Sequence, residues 1–167
     1  TKFLDTPIIS ANMDTVTGAS MAIAMHKMGG MGIIHRFMNI EKQIFEIEQL
    51  KTAGAQIISA SIGVNADFKE RTASLVKAGV NLLTIDIAHG HSVQMMETLK
   101  WLKDAYPDVE IIAGNLATPD AAIDLIEAGA DAIKVGIGPG SMCTTRIITG
   151  CGVPQLTAIA LCAEAAA

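Results

Sequence analysis

Aromatic residues are scarce: the 167 residues include one Trp, one Tyr and four Phe. The hydrophobic half of the chain is therefore mostly Ala, Ile, Leu, Val and Met, and its core must be aliphatic. Charge is sparse too, with 12 Lys and Arg against 17 Asp and Glu for a net of −5. Without a polybasic patch, binding to a phosphate backbone is not expected, so no nucleic-acid partner is. No apolar run reaches the roughly 18–20 residues of a membrane helix. The opening Thr-Lys-Phe-Leu-Asp lacks the apolar stretch of a signal peptide. Neither membrane association nor export is therefore expected. The three cysteines, Cys143, Cys151 and Cys162, are odd in number and form no C-x-x-C pair. A disulfide scaffold or a cysteine zinc site is accordingly not expected, and a reducing cytoplasm is. The high apolar content excludes a disordered chain, and ordinary Gly and Pro counts exclude a collagen-like one.

What is present is a repeat of about 25 residues. Short turns begin at Lys27, Lys51, Lys77, Lys103 and Glu127, stepping by 24, 26, 26 and 24. Each leads into a short, nearly continuous apolar run: 31–35, 57–63, 82–88, 109–115 and 132–138. Such runs read as strands buried on both faces. Between them lie stretches of helical spacing. Phe68, Leu75 and Val76 can share a face of 67–78, and Ala121, Ile123, Leu125 and Ile126 supply the apolar positions of 119–128. Thr118-Pro119 reads as an N-cap and first turn, and Gly at helix ends as a left-handed cap. Met21, Met25 and Met28 fall at helical spacing and are expected in the core or at a seam between units. Cys162, in an Ala-rich helix from Gln155, is expected in the core.

Tandem strand–helix units imply a parallel sheet with right-handed crossovers. With 7–13 as a first strand there are six. Eight would need about 200 residues at this period, so the chain reads as about three-quarters of a (β/α)8 TIM barrel, a single incomplete domain over 1–167. The alternative, a doubly wound open sheet, lacks its Gly-rich fingerprint after the first strand. Thr1 in place of Met, and an end after the sixth unit, lead us to expect part of a longer protein.

In a barrel the chemistry sits at the C-terminal strand ends. Those positions carry Ser10, Asn12, Met13, Asp14, His35, Arg36, Gly63, Asn65, Asp86, His89, His91, Asn115 and the segment after Val135. That segment reads Gly136-Ile-Gly-Pro-Gly-Ser-Met-Cys-Thr-Thr-Arg146. Its glycines let the backbone approach a ligand and aim N–H groups at a phosphate or carbonyls at a cation. Ser141 adds a hydroxyl and Arg146 a charge. Cys143, in a polar and flexible place, is the candidate nucleophile. His89 and His91 could begin a metal pair, but the remaining histidines, His26 and His35, are scattered, so no zinc hydrolase site is expected.

Five segments resemble the IMP dehydrogenase/GMP reductase family. The longest is G-I-G-P-G-S-M-C-T-T-R-I-I-T-G-C-G-V-P-Q at 136–155. The others are S-A-N-M-D-T-V-T at 10–17, G-I-I-H-R at 32–36, I-D-I-A-H-G-H-S at 85–92 and A-G-N at 113–115. They fall in the family's order, and the family fold is a TIM barrel. The resemblance implies that Cys143 attacks C2 of a purine nucleotide and that Thr145 assists proton transfer there. It implies that Ser10 and Ser141 bind the nucleotide phosphate, that Met13 packs near the base, and that Asn115 lines the nucleotide. Asp86, Ala88, His89 and Gly136 would bind the dinucleotide, NADPH or NAD. Backbone carbonyls of Gly138, Gly140 and Cys143 would hold a monovalent cation, K⁺. A homotetramer is also implied.

Two reactions share this machinery. GMP reductase (GMP with NADPH giving IMP and ammonia) is the preferred reading. IMP dehydrogenase (IMP with NAD⁺ and water giving XMP) is the alternative. The preference rests on Ala11-Asn12-Met13, the 85–92 segment, Thr149-Gly150 with Gln155-Leu156, and above all the short passage from Met38 to the third strand. The family's seventh and eighth strands, with further phosphate and ribose contacts, have no counterpart in these residues, and this piece alone is expected to be inactive.

Overall fold

A computed structural model of the chain describes residues 2–167. Its elements alternate as the repeat requires. In chain order they are β1 (Ile9–Ser10), α1 (Ala19–Lys27), β2 (Met31–Ile34), α2 (Ile40–Thr52), β3 (Ser59–Ile62), α3 (Phe68–Ala78), β4 (Leu82–Asp86) and α4 (Val93–Ala105). Then come β5 (Glu110–Leu116), α5 (Pro119–Glu127), β6 (Ala132–Val135), α6 (Thr145–Thr149) and α7 (Gln155–Ala165). The sheet order is the chain order, β1 to β6. Successive parallel strands joined through helices make this an α/β fold of six (β/α)-barrel units. No helix among the described residues is long and apolar enough to cross a membrane.

The chain divides into two compact units. The first comprises the residues up to Thr84 with Asp108–Glu110; the second comprises Ile85–Pro107 with Ile111–Ala167. In the first, β1 pairs with β2 and β2 with β3, both parallel. All four residues of β2 and of β3 are buried. Ile47 and Leu50 of α2 and Leu75 of α3 complete an aliphatic core. Each such side chain removed from water stabilises by about 1.5–3 kcal/mol.

In the second unit β5 pairs parallel with β6, in the register Ile112 to Ala132, Ala113 to Ile133 and Gly114 to Lys134. The register then shifts between Gly114 and Leu116, leaving Asn115 as an extra residue at the end of β5. Met95, Leu99 and Leu102 of α4, Leu125 of α5 and Cys162 of α7 fill this core. Burial raises the Cys162 thiol above its ordinary range.

Local signals account for most element ends. Thr118 caps α5, its hydroxyl accepting from the Ala121 N–H at 3.4 Å, with Pro119 in the first turn. Asn39 and Ser92 cap α2 and α4 in the same way. After α3 and α5 the chain turns through Gly79 (φ 110°) and Gly129 (φ 102°), a left-handed conformation that disfavours a side chain. Two residues further on, the same device appears twice. The Asn81 side chain accepts from the Ile58 N–H at 3.1 Å, and the Asp131 side chain from the Ile111 N–H at 2.7 Å. Each ties a turn to the start of the preceding strand.

Three expectations need correction. The first strand is two residues long rather than seven, since only Ile9 and Ser10 pair with β2. Of the two places expected for the methionines of α1 and its cap, the core is not the one: Met25 is half-buried. Met28 is 75% exposed and Met21 is exposed, while Ala19 and Ala22 face inward. The reason is proximity: a Cβ on Gly32 would stand 2.6 Å from the Ala22 Cα, so only small residues fit where α1 meets β2. In α5 the buried residues are Ala121, Ala122 and Leu125, with Ile123 and Ile126 exposed.

Candidate functional site

The second unit gathers most of the singled-out residues. Its loop after β6 opens with Gly136 (φ 142°) and Gly138 (φ 64°). The Gly136 N–H donates to Leu116 O at 2.8 Å. The segment after α6 folds back to close the loop. Val153 N–H donates to Ile137 O at 3.1 Å, and the Gln155 amide donates to Val135 O at 2.9 Å. The loop thus returns to its own strand, which fixes where Cys143 stands.

Cys143 is partly exposed, and its sulfur lies 3.2 Å from the Thr145 hydroxyl. In the thiolate form that hydroxyl donates back. This bond is the chief reason the thiol is held below its ordinary range, followed by the Thr145 main-chain N–H; slight burial opposes them, and the Arg146 charge adds a smaller pull. Cys143 and Thr145 are thus in direct contact. Ser141 is exposed.

Arg146 crosses the loop. Its stem lies close over Gly138 and Gly152, and its guanidinium donates to Gly140 O at 3.2 Å. The Cys143 N–H donates to the same carbonyl at 3.1 Å. Of the three carbonyls expected to hold a monovalent cation, that of Gly140 thus already accepts two donors. No step below is routed through such an ion.

A second cluster forms at the ends of β4, β5 and β6. Lys134 Nζ donates to Asp86 Oδ1 at 2.8 Å and to Asn115 Oδ1 at 3.1 Å. The Asn115 amide N–H in turn donates to Gly136 O at 2.9 Å. Two glycines let the backbones come this close. A Cβ on Gly114 would stand 2.6 Å from the Lys134 Cβ, and one on Gly90 would stand 2.7 Å from Asn115 O. The 85–92 segment is laced to β5 through Ile87 N–H to Gly114 O, Asn115 N–H to Ile87 O and Gly90 N–H to Asn115 O, at 2.8–3.0 Å. Asp86, Asn115 and Gly136 are thus brought together, while Ala88 and His89 stand exposed on the adjoining loop. His91 pairs instead with Asp124 at 2.7 Å. No group of three His, Cys, Asp or Glu among the described residues could hold a metal.

Sequence reasoning passed over Lys134. It lies inside the run Ala132-Ile-Lys-Val135, which reads as a buried strand. The available signal was the lysine itself, since a cation in such a strand needs a partner.

Ser10 and Met13 belong to the first unit. The Thr17 hydroxyl oxygen lies 2.5 Å from Ala11 O and 2.9 Å from Ser10 Oγ. With one proton, Thr17 donates to the carbonyl and Ser10 donates to Thr17. Met13 is about half exposed on the loop after β1. Asn12 is buried, and its amide nitrogen has no hydrogen-bond partner. His35 is buried at the end of β2, where its Nδ1 accepts from the Phe37 N–H at 3.2 Å. Burial lowers its affinity for a proton, partly offset by Asp14 and Glu46.

Residues 2–167 match the family model of the IMP dehydrogenase / GMP reductase domain. The chain is 42% identical over 205 aligned positions to inosine-5'-monophosphate dehydrogenase of Borreliella burgdorferi, covering 93% of the chain and 51% of the relative. It is 40% identical to the protein of the same name from Cryptosporidium parvum, covering 98% of the chain and 50% of that relative. The enzyme so named in Halalkalibacterium halodurans is 54% identical over 129 residues, 77% of the chain and 27% of the relative. The chain spans about half the length of the first two relatives.

Proposed function

The chain belongs to the IMP dehydrogenase / GMP reductase family, and from that premise we propose that the protein acts as an IMP dehydrogenase. The net reaction is IMP, NAD⁺ and water to XMP, NADH and a proton. The observation that carries a C2 chemistry is the Cys143 sulfur held against the Thr145 hydroxyl in a glycine-rich loop. The relatives reported above are all named dehydrogenases, which favours this over the reductase preferred from sequence. The short passage from Met38 to the third strand points the other way. The alignment to the Borreliella enzyme, at 205 positions, is longer than this 167-residue chain, so the relative carries residues that this chain lacks. A length difference in a connection is tolerated within one activity and does not mark the reaction.

The residues divide the work. The Cys143 thiolate adds to C2 of the hypoxanthine ring, forming a C–S bond and making that carbon tetrahedral. The nicotinamide ring, when bound, accepts the hydride that leaves C2. What remains is a thioimidate on Cys143. Water then adds at C2, the C–S bond breaks, XMP leaves and the thiolate returns. Thr145, whose hydroxyl meets the sulfur, relays the proton released by that water in this reading. The Asp86 carboxylate is suited to ribose hydroxyls of the dinucleotide. Ser141 and Ser10 serve the nucleotide phosphate, Met13 the base and Asn115 the nucleotide side. A cytoplasmic homotetramer remains part of this reading.

Absorbance at the nicotinamide band of the full-length protein tests it. One cuvette holds IMP with NAD⁺, the other GMP with NADPH, each beside Cys143→Ala. NADH formation from IMP alone, abolished by the substitution, is the expected result. NADPH oxidation with GMP alone would make it the reductase. Full activity of the Cys143→Ala variant would overturn the mechanism.

A further inference from the structure

The loop chemistry above leaves one charged side chain unused. Lys134 is the only ionisable residue of β6, and its ammonium stands between two groups of the site. We infer that Lys134 is a positioning residue that fixes the Asp86 carboxylate for the dinucleotide and, with it, the Asn115 amide on the nucleotide side. This inference rests on the proposed dehydrogenase reading.

The geometry is specific. An amide has two ends of nearly equal size, and its surroundings choose which faces where. Gly136 O, an acceptor, demands the nitrogen of Asn115; Lys134, a donor only, demands the oxygen. Both ends are thus set, and the flipped amide would face donor with donor and acceptor with acceptor. Asn115 is also the extra residue where the β5–β6 register shifts, a place where a bulge re-aims a side chain. Without Lys134 that re-aimed amide would lose its lock. Asp86, at the end of β4, receives the shorter bond, 2.8 Å, between opposite charges that are half-buried. Bonds of this kind are the strong ones. The register shelters the arrangement, since Gly114 lies directly across from Lys134 and only its missing side chain leaves room for the lysine stem.

Steady-state kinetics of Lys134→Met and Lys134→Arg in the full-length enzyme test this, with thermal melting alongside. The expected result is an NAD⁺ KM raised about 10-fold or more in Lys134→Met, the scale of one lost charge-assisted bond. The IMP KM should rise too, but less, because the bond to Asn115 is the longer and carries no opposite charge; the Cys143 alkylation rate should hold, and Lys134→Arg should recover most of the loss. Lys134→Gln, which keeps a donor, replaces Lys134→Met if the latter does not fold. Unchanged NAD⁺ constants would overturn the inference. So would equal losses for both substrates together with a lowered melting point, or failure of the arginine to rescue. If the wild type makes no NADH from IMP, the functional reading fails by itself. Calorimetric titration of NAD⁺ into the same proteins then decides on Lys134: weaker binding in Lys134→Met, restored by arginine, supports it, and equal binding or none in the wild type overturns it.

Discussion

A thiol becomes a useful nucleophile when its neighbours favour the anion, and the Cys143 neighbours are local in sequence. Thr145 hydroxyl and N–H stand first among them and the Arg146 charge follows. Thr145→Val removes the hydroxyl bond, which favours the thiolate, so the Cys143 pKa should rise. The pH midpoint of iodoacetamide alkylation should then move to higher pH, and the rate at pH 7 should fall. Arg146→Met should move the midpoint in the same direction but less, because a screened charge acts more weakly than a direct bond. A downward shift in either variant would mean that other groups set the thiol. The substitution at Arg146 also strips one of two donors from Gly140 O. These roles were legible in the sequence because a nucleophile, a hydroxyl two residues on and a cation one further make a local pattern. Lys134 was not, for its partner Asp86 lies 48 residues away and only the fold brings them to 2.8 Å.

At the scale of elements, α2 and α3 are joined to β2 and β3 by one buried polar relay. The fully buried Gln43 amide donates to His35 O at 3.2 Å and to Ser61 O at 2.9 Å. Its oxygen accepts from Arg71 at 2.7 Å, and Arg71 is in turn held by Asp67 at 2.9 Å. Every donor and acceptor of Gln43 within this relay is matched, so its loss exposes several groups at once. Arg71→Met strands the Gln43 oxygen and should cost about 1–3 kcal/mol in urea unfolding. Gln43→Leu strands two strand-end carbonyls and should cost a similar amount. The double variant should cost clearly less than the sum, because the members share one network. Strict additivity would show that the relay is not a unit. A parallel test lies at the other strand ends, where Asp131 accepts from the Ile111 N–H and from Lys103 Nζ. Asp131→Ala should destabilise by about 1–2 kcal/mol, and Lys103→Ala, at an exposed pair, by well under 1 kcal/mol. The helices and strands themselves were readable from apolar period and capping residues. The length of β1 was not: Pro7 brings no N–H, and pairing with β2 alone decides that only Ile9 and Ser10 are strand. The inward face of α1 was hidden too, since the close approach at Gly32 favours Ala22 over the larger methionines.

For the whole molecule, the 25-residue period and the order of its motifs were enough to place the chain in an α/β-barrel family. The choice between two reactions was not, because both use the same cysteine loop and differ in groups that no local pattern names. Global stability carries one further consequence of burial, at His35. Burial lowers its pKa below the ordinary 6.5, with Asp14 and Glu46 raising it in part and Lys42 lowering it further. In the unfolded chain the imidazole regains its ordinary proton affinity. Below pH 6.5 the unfolded state therefore binds a proton that the folded state resists, and stability falls as pH drops toward the folded value. Well above pH 6.5 both states are neutral and this contribution is flat. The slope from one such group cannot exceed about 1.4 kcal/mol per pH unit. Urea unfolding of the wild type and of His35→Gln from pH 8 to 5 isolates it from the carboxylates, which titrate in both. The wild type should lose more stability than the variant between pH 6.5 and 5, with the two curves parallel above pH 7. Curves that stay parallel to pH 5, or a variant that loses more, would show that His35 takes up its proton in the folded protein, held by Asp14 and Glu46 against the cost of burial.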